Sequence, residues 1–311
     1  MKIVVLLCTA LVLFACAKKK EGVGIEPPAS AIAQDFSKYE LAYKDAIEQY
    51  KNGKPNKALE TIEAALKEVE DKAGKRILLS DDSANVYRSF RNLIEEAIYR
   101  QFVHGESKQE VQDFPESVFW LYLMRGVTFV ELKRYDEAKV ALLKTLELNP
   151  VYTGTLFELG VISQEKKDWK EFLRLTQEAH KVSYTQEDLA RCYRNYGYYF
   201  IEQQKYDDAI AMYYASLAFD SKQFEKVSSQ LLYIHQQTQQ PISQPTEEQI
   251  SAAIMKNNIT FGADANIVEF IYALGEMFEE MKAYEKAKYC FKVLYNLTEL
   301  EQMKKRIEKM P

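Results

Sequence analysis

Apolar and polar positions divide the chain into unlike stretches. Ile3 to Ala15 is an almost unbroken apolar run of 13 residues behind Lys2, short of the roughly 20 that a membrane-spanning helix needs. It ends in a small residue followed by Cys16, the layout of a secretory signal peptide. Residues 17–34 hold Lys18, Lys19, Lys20, Gly22, Gly24, Pro27 and Pro28 without an apolar stripe, which predicts a tether. From about residue 35 onward, apolar side chains recur at helical spacing. Tyr43, Ile47 and Tyr50 precede a turn at Asn52-Gly53-Lys54-Pro55, and Ala58, Ile62, Ala65, Leu66 and Val69 form the next stripe. Val86, Phe90, Leu93, Ala97 and Ile98 predict one long helix from Asp82 to Val103, capped by Asp81-Asp82 and stopped by Gly105. Near the far end, Phe224 to His235 reads as a helix and Gln236 to Pro245 as a polar loop. Thr246-Glu247-Glu248-Gln249 then starts another helix with a capping box.

Four glycines interrupt this pattern at regular places. Gly126, Gly160, Gly197 and Gly275 each sit inside a helical stretch, where glycine costs about 1 kcal/mol against alanine. Nine residues after each comes an aromatic: Tyr135, Trp169, Tyr206 and Tyr284. Twelve residues after three of them comes an alanine: Ala138, Ala209 and Ala287. Phe129, Phe200 and Phe278 follow three of the glycines by three residues, and 34 residues separate Gly126 from Gly160. Such spacing predicts helical hairpins that pack closely where glycine meets alanine. A single hairpin cannot bury its own apolar face, so neighbours must stack.

This frame resembles the tetratricopeptide repeat, whose period is 34 residues. Tyr135-Asp136-Glu137-Ala138, Tyr206-Asp207-Asp208-Ala209 and Tyr284-Glu285-Lys286-Ala287 match the start of that family's second helix, and Pro150 matches its closing proline. Residues 153–186 depart from it, with Phe172 in place of alanine and Ser163 in place of an aromatic. The resemblance implies an all-α fold, an α-solenoid of antiparallel helical hairpins behind a cleaved leader. The expected organisation is a signal peptide at 1–15, a lipidated cysteine and tether at 16–34, and divergent hairpins at 35–118. Three repeats follow at 119–223, then a degenerate hairpin with a polar loop at 224–267, then a last repeat and terminal helix at 268–311. In this family the first helix of each hairpin lines a concave face. The residues expected there are Trp120, Leu123, Val127, Phe157, Val161, Arg194, Tyr198, Ile201, Tyr272 and Glu276. An apolar and aromatic groove of that kind suits a segment of a partner protein.

Leu13-Phe14-Ala15-Cys16 resembles the lipobox of bacterial lipoproteins, which implies acylation at Cys16 and a membrane anchor. Ala17 stands after the cysteine where an aspartate would imply retention at the inner membrane, so outer-membrane delivery facing the periplasm is expected. The whole chain has a formal net charge of −5. The leader holds Lys2 and no acid, so its removal would leave −6, a poor basis for binding nucleic acid. Catalytic constellations are missing from the sequence. His104, His180 and His235 stand far apart, and none has a cysteine or carboxylate at ligand spacing. Cys192 and Cys290 are expected to be small buried apolar residues. Neither cofactor, metal nor enzymatic activity is expected. The function expected is that of an envelope scaffold or adaptor binding a protein partner, with a transport-associated, solute-binding or pore-forming lipoprotein as the alternative.

Overall fold

The computed structural model describes residues 29–73 and 81–311, with side chains placed in 37–70 and 81–311. The expected signal peptide and Cys16 lie outside the described residues. Helix α1 (Ala29–Lys51) begins inside the stretch expected to be tether. Ala29, Ala31 and Ala33 are strong helix formers and extend it backward. A hairpin with α2 (Pro55–Ala73) follows. Three more hairpins stand in series: α4 (Glu116–Glu131) with α5 (Tyr135–Leu148), α6 (Thr153–Glu165) with α7 (Trp169–Val182), and α8 (Gln186–Glu202) with α9 (Tyr206–Phe219). Helices α10 (Phe224–Thr238) and α11 (Glu247–Lys256) form the degenerate unit. The last hairpin is α12 (Ala265–Glu280) with α13 (Tyr284–Thr298), followed by α14 (Glu301–Lys309). Helix α3 (Leu93–Ile98) lies in a separate segment described below. Among the described residues the fold is all-α apart from two short strands.

Five of these hairpins turn in the same way. Gly53, Lys133, Lys167, Gln204 and Lys282 are left-handed, with φ of 68°, 59°, 56°, 58° and 58°. Each donates its N–H to the carbonyl three residues back, and the next residue donates to the carbonyl five back, as in Lys133 to Val130 and Arg134 to Phe129. This is the Schellman arrangement, which satisfies carbonyls that a helix end leaves open. The residue after the left-handed one also accepts the N–H four residues on, as Arg134 does from Ala138, and so launches the second helix. Glycine holds the left-handed position only at Gly53. There Pro55 takes the place of the turn aromatic, at a helix start where its missing N–H costs nothing.

The glycine frame shows its reason in the packing. A Cβ on Gly126 would lie 2.6 Å from the Leu142 side chain. On Gly197 it would lie 3.0 Å from the Tyr213 ring, and on Gly275 2.9 Å from the Phe291 ring. In all three the large side chain comes one helical turn after the alanine. Ala138, Ala209 and Ala287 are fully buried beside it. The second repeat swaps these roles. Phe172 occupies the alanine position and Thr176 the next turn, and a Cβ on Gly160 would find its nearest neighbour, Phe172, at 3.7 Å. By the same register, Ala46 and Ile62 stand in the first hairpin where Gly126 and Leu142 stand in the next, and both are fully buried. Phe129, Phe200 and Phe278 are buried at the turns. Arg134 lies over the Phe129 ring at 4.5 Å, Lys205 over Phe200 at 5.8 Å and Lys286 over Phe278 at 5.4 Å.

The long helix expected from Asp82 to Val103 does not form. Instead β1 (Asn85–Arg88) pairs in parallel with β2 (Glu110–Asp113), with Asn85 beside Glu110 and Arg88 beside Asp113. The crossover between them is α3 and a π-helical turn, Tyr99–His104, which Gly105 ends with φ of 53°. The two aspartates expected as helix caps act on the strand. The Asp82 carboxylate accepts the N–H groups of Ala84 and Asn85 at 2.7 and 2.8 Å. Asp81 accepts the Tyr87 N–H at 2.9 Å and grips Arg88 with two bonds of 2.8 Å. The helix cap is Asn92, which accepts from Ile94 and Glu95.

This segment decides where the last hairpin goes. Ile94, Ile98 and Tyr99 share one apolar cluster with Val151 and Tyr184, from turns between repeats, and with Ile271, Leu274 and Phe291 of the last hairpin. Phe102 meets Phe270 edge to face at 5.3 Å. The last hairpin thus rests on the 81–113 segment, which lies against the inter-repeat turns. At the centre is Glu95, whose side chain is fully buried. It accepts from the Arg91 guanidinium at 2.6 Å, the Arg91 N–H at 2.9 Å, Asn149 Nδ2 at 2.9 Å and the Tyr184 hydroxyl at 3.4 Å. Burial, then the Glu95 charge, pushes the Tyr184 phenol up, so it remains a donor. The terminal helix starts at Glu301, after Glu299 turns left-handed with φ of 53° and ends the helix before it.

Two outcomes follow for stability. Gly197→Leu should cost about 1–3 kcal/mol by driving a side chain into Tyr213, whereas Gly160→Ala should gain up to about 1 kcal/mol in helix propensity at ordinary contact distance. Urea midpoints of the two variants check this, and a destabilised Gly160→Ala would contradict the swapped packing. Glu95→Ala should cost about 3 kcal/mol by taking from Arg91, Asn149 and Tyr184 the acceptor they share. It should also speed proteolysis of the last hairpin before that of α4–α9, and a variant with parental stability would deny Glu95 its central place.

Candidate partner-binding face

The first helices α1, α4, α6 and α8 lie side by side, so much of each is claimed by its neighbours. Trp120 stacks on Tyr43 of α1 at 5.9 Å and meets Tyr152 edge to face at 5.7 Å. Its Nε1 donates to Glu116 at 2.9 Å. Leu123 packs in the same N-terminal cluster. Helix α1 therefore covers the end of the face where these two residues were expected to be open. Phe157 and Ile201 are only 2% and 5% exposed, so both are core and cannot meet a partner directly. Tyr198 is partly exposed, but its ring lies 6.0 Å from Trp169 and 6.1 Å from Phe172, against the second helix of the preceding hairpin.

Tyr272 and Glu276, expected on the face of the last unit, are engaged by the chain itself. Arg306 of α14 donates to the Tyr272 hydroxyl at 2.9 Å, to Glu276 at 3.0 Å and to Glu279 at 2.7 Å. Its guanidinium also covers the Phe291 ring at 4.6 Å. Tyr272 and Glu276 are thus paired with Arg306 of the terminal helix and stay partly exposed.

Val127, Val161 and Arg194 remain. The two valines are partly exposed and lie outside the three apolar clusters. Arg191 donates to Glu158 at 3.2 Å and lies over the Phe157 ring at 4.6 Å. Burial, then Glu131 and Glu158, raise the Tyr50 phenol, which places Tyr50 within the field of the same carboxylates. Arg194 is the least satisfied group on this face. Its Nη1 is shut off from solvent and has no hydrogen-bond partner. Burial pulls its guanidinium down and Arg191 adds to that, while Asp220 opposes them. Of the residues expected on the face, these three are the ones left partly exposed without an aromatic, apolar-cluster or ion-pair partner, and none of the three is aromatic.

A second open surface had a faint signal in the sequence, the gap in the glycine and alanine frame between Phe219 and the last hairpin. Helix α10 buries Val227 and Ile234 but exposes Phe224, Leu232 and Tyr233 by 59%, 56% and 43%. Beside it is a shallow trough of 310 Å³, lined by Tyr214, Ser228, Leu231, Leu232, His235 and Ile242. Elsewhere the chemistry is quiet. Cys192 and Cys290 are free and buried. Burial raises both thiols, Cys290 to about 12, which suppresses the reactive thiolate. Among the described residues no group of three histidine, cysteine or acidic side chains is placed to hold a metal ion. No described helix is long and apolar enough to cross a membrane.

No family model matches the chain, and no curated protein matches it. Among solved structures it is similar to a tetratricopeptide repeat protein from Parabacteroides merdae, at 13% identity and a TM-score of 0.34. The match covers 88% of this chain and 98% of the other. A likeness of that degree carries no argument of its own. The repeat architecture rests on the turns, the glycine contacts and the apolar clusters of this molecule.

Proposed function

We propose that this chain is a protein-binding scaffold, held at the bacterial envelope by acylation of Cys16, that receives an acidic segment of a partner on the face formed by Val127, Val161 and Arg194. The observation that supports it best is Arg194, a half-buried guanidinium whose Nη1 has no partner. An unpaired buried donor costs on the order of 1–3 kcal/mol. A carboxylate or carbonyl arriving beside the exposed part of the guanidinium lets the side chain re-aim and recover some of that cost. The valines give the segment an apolar floor. Arg191 adds positive charge nearby, although Glu158 already engages it. The leader and Ala17 support delivery to the outer membrane, facing the periplasm.

A photo-crosslinker at Val161 in intact cells should capture a discrete partner. Arg194→Ala combined with Val161→Asp should lower that partner's affinity more than tenfold, a loss of about 1.4 kcal/mol or more, with helical content unchanged. Unchanged affinity in the well-folded double variant would move the site to the α10 surface. Phe157→Ala should instead lose about 3–5 kcal/mol of stability, as a core truncation does. For the anchor, Cys16→Ser should abolish palmitate labelling and release the protein from membranes. Persistent labelling would rule out acylation at Cys16.

A further inference from the structure

Residues 257–264 connect α11 to α12 and so lead from the repeats to the last hairpin. Side chains of the repeats hold this loop in place. His180 of α7 is 5% exposed. Its Nε2 lies 2.8 Å from the Gly262 carbonyl oxygen, and its Nδ1 lies 3.2 Å from the Tyr196 hydroxyl. A carbonyl only accepts, so Nε2 carries the hydrogen, and in the neutral ring Nδ1 accepts from Tyr196. Tyr193 of α8 grips the same loop. Its hydroxyl donates to the Thr260 carbonyl at 2.7 Å and accepts the Gly262 N–H at 2.8 Å. The Tyr193 ring stacks on Phe219 at 5.5 Å, and Phe261 leans on both rings at 6.3 and 5.9 Å.

We propose that His180 is a proton-operated latch: when the imidazole gains its second proton, the 257–264 loop releases from the repeats and the α12–α13 hairpin is freed on that side. The site suits a neutral ring. A second proton would place a cation where water is nearly excluded, and Tyr196 would have to give up its donated bond. The groups around His180 come from four elements. On α8 these are Tyr193 and Tyr196, whose phenols burial raises, so they stay neutral. On α9 Phe219 and on the loop Phe261 bring no charge. Asp264 on the loop favours the cation and works against release. On α7 itself, Lys181 is exposed to water and opposes the cation only weakly. Burial outweighs the Gly262 bond and Asp264, and the imidazole is held below its ordinary range. With the folded value below the unfolded one, docking is fully supported above about pH 6.5 and weakens as pH falls toward the folded value.

The test is amide exchange on the full chain at about pH 7.5 and about pH 5, corrected for the intrinsic pH dependence of exchange. Protection of the Gly262 amide is expected to fall at least tenfold at the lower pH, while that of Ala138 in α5 holds. In His180→Gln a side-chain amide can still donate to the Gly262 carbonyl but does not titrate, so Gly262 protection should be equal at both pH values. A fall of the same size in His180→Gln, or no fall in the unaltered protein, would overturn the latch. Should His180→Gln lose its docked loop even at the higher pH, the imidazole titration of the unaltered protein decides by nuclear magnetic resonance. A midpoint below the usual histidine range, moving together with loop exchange, upholds the latch, and one at or above that range sinks it.

Discussion

A helix that ends must satisfy its last carbonyls, and here the same few atoms also start the next helix. At Lys133-Arg134, as at four equivalent places, one left-handed residue closes the first helix and the residue after it accepts the first bond of the second. The loop between the two helices is therefore too short to vary. The hairpin angle is set, and the glycine positions fall opposite a large side chain of the partner helix. Leu142, Tyr213 and Phe291 then fill space that any Cβ would close. A tight turn, a missing side chain and a large neighbour are three expressions of one geometric constraint. The second repeat, where Phe172 takes the alanine position and Thr176 follows, shows that total volume at the crossing matters more than which position supplies it.

Stacking alone does not account for the whole molecule. The repeats run regularly through α9, but α10 and α11 do not present a surface on which the last hairpin settles. Its apolar core instead joins Ile94, Ile98 and Tyr99. Those residues are held by a buried carboxylate that draws on Asn149 and Tyr184, two residues at the edges of other repeats. A long-range polar network thus does for the last hairpin what nearest-neighbour packing does elsewhere. Its demands are strict, since Arg91, Asn149 and Tyr184 all lose an acceptor if Glu95 leaves.

The same economy of surface shapes the binding face. First helices that stand in a row present few side chains to solvent; α1 packs on Trp120 of α4, and on the last hairpin Arg306 engages Tyr272 and Glu276. Of the expected face Val127, Val161 and Arg194 stay partly exposed, together with the outer side of α10 where regular stacking stops. Among the described residues the two cysteines are buried and no group of three histidine, cysteine or acidic side chains is placed to hold a metal ion.

The sequence by itself determined the repeat. Glycine, turn aromatic and alanine at fixed spacing carry their own geometric meaning, because the contact they specify lies within one hairpin or between adjacent ones. The capping box at Thr246 was legible for the same reason, being a bond between near neighbours in the chain. The first hairpin was harder to place in the frame, since Ala46 and Pro55 serve where glycine and an aromatic stand elsewhere. Tertiary structure alone decided the rest. Residues 82–103 show a helical stripe, yet part of that stripe becomes a strand because its pairing partner lies some 25 residues on at Glu110–Asp113. Phe157 and Ile201 had the right spacing for an open face, but spacing gives only a direction from the helix axis, and the neighbouring helices determine whether that direction meets water. Tyr272 and Glu276 are engaged by Arg306, a residue 30 positions beyond Glu276. Such contacts depend on where distant segments come to rest, and no local pattern in the chain encodes that.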